Sequence, residues 1–226
     1  MLRRMILPLV FGIAGTVVLA GLGLWQLERL AWKEVILSEI EGRISAEPVP
    51  LPAFPDPVRD RYLPVAVSGV FDGEELRILA SSRDTGAAYR MVSAFDTPDG
   101  RRVMVDRGLL PVETEENPLA GQGATVTGNL HWPDEVDSYT PAPDLDGNIW
   151  FARDVPAMAT ALGAEPVLIV ARVIDGPELA AQPLSVDTGH IPNNHLGYAI
   201  QWFGLAAVWT AMLVFWIIRT ARKEPV

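Results

Sequence analysis

Hydrophobic positions fall along this chain in three regimes. Residues 5–24 (MILPLVFGIAGTVVLAGLGL) contain no charge over twenty positions, and residues 197–218 (GYAIQWFGLAAVWTAMLVFWII) repeat the pattern near the other end. At ~1.5 Å rise per residue each run covers roughly 30 Å as a helix, the thickness of a bilayer's hydrocarbon core. Between them apolar and polar positions alternate in short segments: PVAVSGVF, ELRILASS, YRMVSAF, RRVMVDRG, ATVTGNLHW and PVLIVARVI. A period of two is the signature of strands. Asp72-Gly73 predicts a hairpin turn between the first two segments, and Thr97-Pro98-Asp99-Gly100 a second between the next pair. Asp154 is a suitable N-cap for a short helix, VPAMATALG, closed by Gly163. The Pro-, Asp-, Glu- and Gly-rich segments 113–123 and 133–148 read as loops.

The pattern predicts an α+β membrane protein in which two transmembrane helices flank a mostly antiparallel β extramembrane domain. Residues 5–27 form the first span and 28–46 its amphipathic extension. Residues 47–64, with Pro48, Pro50, Pro52, Pro55, Pro57 and Pro64, form an extended linker. Residues 65–190 are the β-rich domain, 195–218 the second span and 219–226 a tail. A cleaved signal peptide would need small residues before a cut ahead of Gly21, and Val18 and Ala20 supply them. Against cleavage, the apolar run exceeds a typical signal core and continues unbroken into the amphipathic helix, so the first span is expected to stay as an anchor. The short tail leaves no room for the output domain of a sensor.

Charge orients this plan. Arg3 and Arg4 precede the first span, and Arg219, Arg222 and Lys223 follow the second, which puts both termini in the cytoplasm by the positive-inside rule. The chain has 18 basic and 28 acidic residues; setting aside those five basic residues and Glu224 leaves 13 and 27 between the spans, a net charge of −14. So acidic a domain has no basic face for phosphate, and nucleic acid is not an expected partner. With no transit peptide, a bacterial inner membrane with the domain in the periplasm fits. The absence of cysteine excludes disulfides, thiolate metal sites, iron–sulfur clusters and thioether-linked haem. The methionines are scattered rather than clustered, which argues against copper delivery.

Motifs for catalysis are missing: there is no H-E-x-x-H, G-x-S-x-G, P-loop or dinucleotide fingerprint. An enzyme is not expected. The informative stretch is HIPNNHLGYAIQWFGLAAVW, where a helix starts after Pro192. Counting in heptads gives His195, Trp202, Trp209 and Trp216, which stay on one side because a helix drifts only about 20° per heptad. Tyr198 joins the first pair, and Trp202 lies about 10 Å below His195 along the stripe. One reading is an aromatic belt and helix-packing surface. The other is a haem site, with imidazole Nε2 as axial ligand and the ring against tryptophan faces. On the first helix, GLWQLERLAWKEVIL places Trp25 and Trp32 on one face and Gln26, Arg29 and Lys33 on another. These are interfacial anchors, or Arg29 or Lys33 pairs with haem propionates near His195.

GLWQLERLAWK resembles the G-x-W-Q-x-x-R-x-x-W-K pattern that opens the Surfeit-locus family of cytochrome c oxidase assembly proteins. PNNHLGYAIQWFGLA is similar to that family's closing N-N-H-x-x-Y-A-x-x-W-F. Gly69-Val70-Phe71 and Val105-Asp106-Arg107-Gly108 resemble its G-x-F and V-x-R-G-W-V-P elements. Two departures stand out: Gln201 where the family often has Thr, and Leu109-Leu110 where it has Trp-Val.

The resemblance implies a biogenesis factor that binds haem A, transiently and without covalent links, and assists its insertion into subunit I of cytochrome c oxidase. His195 would ligate the haem iron, with Trp202 and Tyr198 lining the ring and Arg29 a partner for its propionates. Subunit I, haem A synthase and membrane lipid are the expected partners. The alternative is a structural chaperone that clamps an immature subunit I and never touches haem. His190, five residues before His195, is the second imidazole of this stretch.

Overall fold

The computed structural model describes residues 2–82, 86–189 and 191–222, so His190 lies outside the described residues. Lys223, Glu224 and the side chains of Arg3 and Arg4 lie outside them too. The chain divides into two compact units, residues 1–39 with 188–226, and residues 40–187. The first contains two helices long and apolar enough to cross a membrane and the second a mixed sheet, which makes this a two-span membrane protein of the α+β class.

Helix α1 runs without interruption through Leu2–Ile44, so the expected span and its amphipathic extension are one helix. It carries Pro8 in its second turn, where the missing N–H removes one i→i−4 hydrogen bond. At its other end Ser45 Oγ donates to Glu41 O at 2.7 Å, and Pro48 follows. Helix α3 runs through His195–Ala221, with Arg219 in the last turn complementing the helix dipole.

In the second unit β1 (Val49–Pro50) comes from within the proline-rich stretch and pairs in parallel with β2. β2 (Pro64–Ser82), β3 (Gly86–Asp96), β4 (Arg102–Pro111), β5 (Gln122–Leu130) and β7 (Leu168–Asp175) form the sheet, with β6 (Ile149–Trp150) added beside β2. The first half of β2 pairs with β5 and the second half with β3, both antiparallel. β7 lies parallel to β4 and antiparallel to β5. The circuit β2–β3–β4–β7–β5–β2 therefore closes on itself, which leaves few unpaired strand edges.

The hairpin expected at Asp72-Gly73 is corrected here. β2 passes straight through, and the two residues sit where its register against β3 slips between Phe71 and Glu75. Gly73 has φ +98°, and Glu74 N–H donates to Asp72 Oδ1 at 2.7 Å. A turn signal has been used as a bulge, which bends one long strand so that it can serve two partners. The second turn does form: Thr97 N–H donates to Arg101 O at 2.8 Å, and Gly100 has φ +83°. The predicted short helix is α2 (Val155–Ala161), capped by Asp154, which accepts from Ala157 N–H at 3.1 Å.

Strand alternation sorts the core into two layers. Val65, Phe71, Phe95, Val103, Val105, Val126 and Ile169 pack inside the closed sheet. Their neighbours Val92, Ala94, Met104, Leu168 and Val170 point the other way, against α2 and Trp150. Both faces of β3, β4 and β7 are thus covered over much of their length, which is why these segments are apolar at consecutive positions.

A histidine records this packing. His131 stacks on Tyr62 with ring centroids 5.4 Å apart, and burial together with the charges of Arg153, Arg61 and Arg90 pushes it down to about 4. The folded state then refuses a proton that the unfolded chain accepts below about pH 6.5. Stability should therefore fall as pH drops from 6.5 to 4. Denaturant midpoints of the full chain in detergent at pH 7 and pH 5 check this: His131→Phe, which keeps the stack, should flatten the difference. An unchanged difference would remove His131 as its cause.

Candidate functional site

The first unit is an antiparallel helix pair whose contacts can be followed from one end to the other. A Cβ built on Gly12 would lie 2.5 Å from Leu213 Cδ1, one on Gly15 2.5 Å from Trp209 Nε1, and one on Gly23 2.7 Å from Phe203 Cε1. Small residues on α1 thus let large side chains of α3 reach its backbone, the usual means of close approach between helices in lipid. Trp209 Nε1–H donates to Gly12 O at 2.9 Å, and the Thr16 and Thr210 hydroxyls lie 3.1 Å apart. Phe11 meets the Trp209 ring edge-on at 5.7 Å.

At the top of this seam α3 begins. Asn194 is its N-cap without a side-chain cap bond, and Tyr198 N–H donates to Asn194 O at 3.2 Å. His195 is the first helical residue and is half-buried. Its Nδ1 lies 2.8 Å from Oε1 of Gln26, a buried amide on α1. Two turns further along α1, Lys33 donates to Pro192 O, on the segment that leads into α3. A single face of α1, carrying Gln26 and Lys33, therefore receives the start of α3.

The stripe predicted from the sequence is present, and half of it is seam. His195 and Trp209 both touch α1, and Trp202 and Trp216 are half-buried on the same side. Tyr198 stands apart at 51% exposure, beside a niche of about 400 Å³ lined by Asn193, Asn194, Gly197, Tyr198 and Gln201. Arg29 is not brought to His195: its guanidinium stacks 4.0 Å from the ring centroid of Trp32. Trp25 and Trp32 are about half exposed, as interfacial rings are. Gln26 is the residue whose partnership sequence reasoning missed. The signal was a neutral amide two positions beyond an uncharged run, costly once buried unless a partner meets it.

Lower in the pair an apolar groove of about 540 Å³ opens between the helices, lined by residues that include Phe11, Gly15, Leu19, Leu205, Trp209 and Met212. Along α3 these lining positions fall 10–17 residues beyond His195, or roughly 15–25 Å at the helical rise. The unit thus combines an imidazole at one end with an apolar groove further down.

Comparison with known proteins places these features. The SURF1 family profile matches residues 13–207. The chain is similar to Surfeit locus protein 1 of Homo sapiens, 32% identical with 91% of this chain and 75% of that protein aligned. It is similar to Surfeit locus protein 1 of Mus musculus, 31% identical over 91% of this chain and 73% of that one. The SURF1-like protein of Drosophila melanogaster is 32% identical over 91% of this chain and 75% of its own length. The matched range takes in Gln26, His195, Trp202 and the whole sheet unit.

Proposed function

The chain belongs to the SURF1 family, and from that premise we propose that it is a cytochrome c oxidase biogenesis factor that binds haem A through His195 and assists its insertion into oxidase subunit I. It does so in a bacterial inner membrane, with cytoplasmic termini and the sheet unit in the periplasm. Subunit I receives the cofactor, and haem A synthase is the source.

The observation that carries this reading is the placement of His195. A half-buried imidazole starts a membrane-spanning helix, with one ring nitrogen held by Gln26 and no hydrogen bond to Nε2 among the described residues. Haem iron takes a neutral imidazole nitrogen as axial ligand, so the donor fits. Trp202, half-buried one heptad down the stripe, offers an aromatic neighbour to a flat ring. The apolar groove suits the farnesyl chain of haem A, whose free form belongs in the membrane. A single histidine also suits a protein that must let its cargo go. Arg29, committed to Trp32, would have to leave that ring to meet a propionate.

A second reading is favoured by the seam. Trp209, in the middle of the stripe, packs on α1, which a clamp on immature subunit I would need and a haem groove would not. The experiment that separates the two is an optical spectrum of detergent-purified protein, co-expressed with the enzymes of haem A synthesis. The expected result is a haem A spectrum that vanishes in His195→Ala while the circular dichroism of the protein is kept. A colourless wild type at full cofactor supply would leave the clamp.

A further inference from the structure

The bond between Gln26 and His195 carries a consequence for which ring nitrogen can bind a metal. The amide oxygen Oε1 of Gln26 faces His195 Nδ1 at 2.8 Å, and since an amide oxygen only accepts, this arrangement is a hydrogen bond when Nδ1 carries the hydrogen. In a neutral imidazole the other nitrogen then carries the lone pair. We propose that Gln26 is a positioning residue that holds His195 in its Nδ1–H tautomer, so that Nε2 is presented as the ligating atom; as a statement about ligation this rests on the haem reading above.

Three features give the contact this weight. Gln26 is buried, with 9% of its surface exposed, so water competes poorly for its oxygen. It comes from α1 while His195 comes from α3, and Gly23, one turn before Gln26, lets Phe203 close the pair beneath the bond. Lys33 fixes the chain just ahead of α3 by donating to Pro192 O. The imidazole is thus held by its ring as well as by its backbone. Histidines that ligate metals nearly always donate their second N–H to such an acceptor, which sets ring orientation and raises basicity. Here the acceptor is neutral, which suits a ligand that must release what it holds.

The test begins without any ligand. ¹⁵N-histidine-labelled full chain in detergent near pH 8 is compared for the wild type, Gln26→Leu and Gln26→Glu, with His195→Ala to assign the resonance. The expected wild-type signal is the Nδ1–H form. Gln26→Glu, close in shape and still an acceptor, should preserve it. Gln26→Leu should convert it to the Nε2–H form or a mixture. A wild-type signal in the Nε2–H form would mean that the amide donates to Nδ1 and would overturn the proposal, as would a tautomer indifferent to Gln26→Leu. If both variants lost the signal equally, the bond would be only a packing contact and the proposal would fail.

A second readout uses haem A as the probe. Gln26→Leu should weaken binding by about 10–100-fold, the usual cost of losing such a partner. Gln26→Glu should bind, with a lower reduction potential from the more electron-rich imidazole. Unchanged affinity and potential across all three proteins would overturn the positioning role. A wild type that binds no haem A while showing the Nδ1–H tautomer would end the haem reading and leave the tautomer assignment standing.

Discussion

Arg107→Ala is expected to lower the unfolding free energy of the full chain in detergent, followed at the sheet unit, by about 3–5 kcal/mol, the cost of removing one partner from a buried ion pair. Arg107 is fully buried and its three nitrogens are all used: Nε donates to Ser93 Oγ at 2.9 Å, and the terminal nitrogens to Glu116 Oε2 at 2.6 Å and Glu75 Oε2 at 2.8 Å. Glu116 in turn accepts from the backbone N–H groups of Ala180 and Ala181, so the arginine ties β4 to β2 through Glu75 and to the loop after β7 through Glu116. Removing the guanidinium leaves that carboxylate buried and without its countercharge. Arg107→Lys should recover only part of the loss, since one ammonium cannot reproduce the fork that spans three acceptors.

The deficit should also depend on pH in a particular direction. In the wild type burial pushes the Glu116 carboxyl up, but the Ala180 N–H and the Arg107 charge outweigh it and hold the group below its ordinary value. A depressed carboxylate contributes stability above its unfolded pKa and loses it as pH falls through the folded one. Without Arg107 burial is less opposed, and protonation becomes a relief for the variant. The gap between the two proteins should therefore be widest near pH 7 and narrow as pH falls below about 4.5. Paired denaturation curves measure it. A gap under about 1 kcal/mol at pH 7 would show that the network is an exposed-type pair of little worth.

The sequence made Arg107 visible only as part of a resemblance, and its role follows from contacts no local pattern contains. Alternation along RRVMVDRG marked most of β4, yet eight consecutive buried positions mean that both faces are covered, one by the closed sheet and the other by α2 and the segment around Gln182. Such a strand can hold Asp106 and Arg107 in its interior because both find partners: Arg90 and Arg153 for Asp106, Glu75 and Glu116 for Arg107. Gly108 follows with φ +97°, where a Cβ would fall 1.8 Å from Gln182 O. The Asp72-Gly73 signal failed for a related reason. A turn-forming pair bends the chain, but whether the bend closes a hairpin or a bulge depends on which strands lie alongside, and β5 is about fifty residues away in sequence. Sheet closure has no period and left no mark.

The membrane pair was more legible, because both helices have one repeat and one apolar environment. Heptad spacing found the side of α3 that carries His195, Trp202, Trp209 and Trp216, and the structure puts two of these against α1. What spacing could not supply was the register between helices. Gln26, Arg29 and Lys33 share a face on paper, but only the antiparallel register decides that Gln26 meets His195, Lys33 meets Pro192 and Arg29 turns to Trp32. The glycines of α1 were the overlooked marker: Gly12, Gly15 and Gly23 lie where α3 comes closest.

Gly23→Leu follows from that register and, on the haem reading proposed above, is expected to weaken haem A binding by about 5–150-fold, the equivalent of the 1–3 kcal/mol that overpacking a tight contact costs. Gly23 is buried, and even a methyl group there would fall 2.7 Å from Phe203 Cε1 and 2.8 Å from Cζ. A leucine cannot fit beside that ring unless the helices part or Phe203 swings away. Gln26 is one turn further along the same face, so parting the helices there draws its amide from His195. Gly21→Leu is the matched control, because nothing lies within 4 Å of a Cβ at Gly21. The two variants add the same volume to the same helix, and only the one in the seam should change haem A affinity and the His195 ¹⁵N signal. Neither should shift the denaturation of the sheet unit, whose core is built from other residues. If Gly21→Leu and Gly23→Leu bound haem A alike, the seam would not be what holds the imidazole in place, and the ligand would owe its geometry to the start of α3 alone.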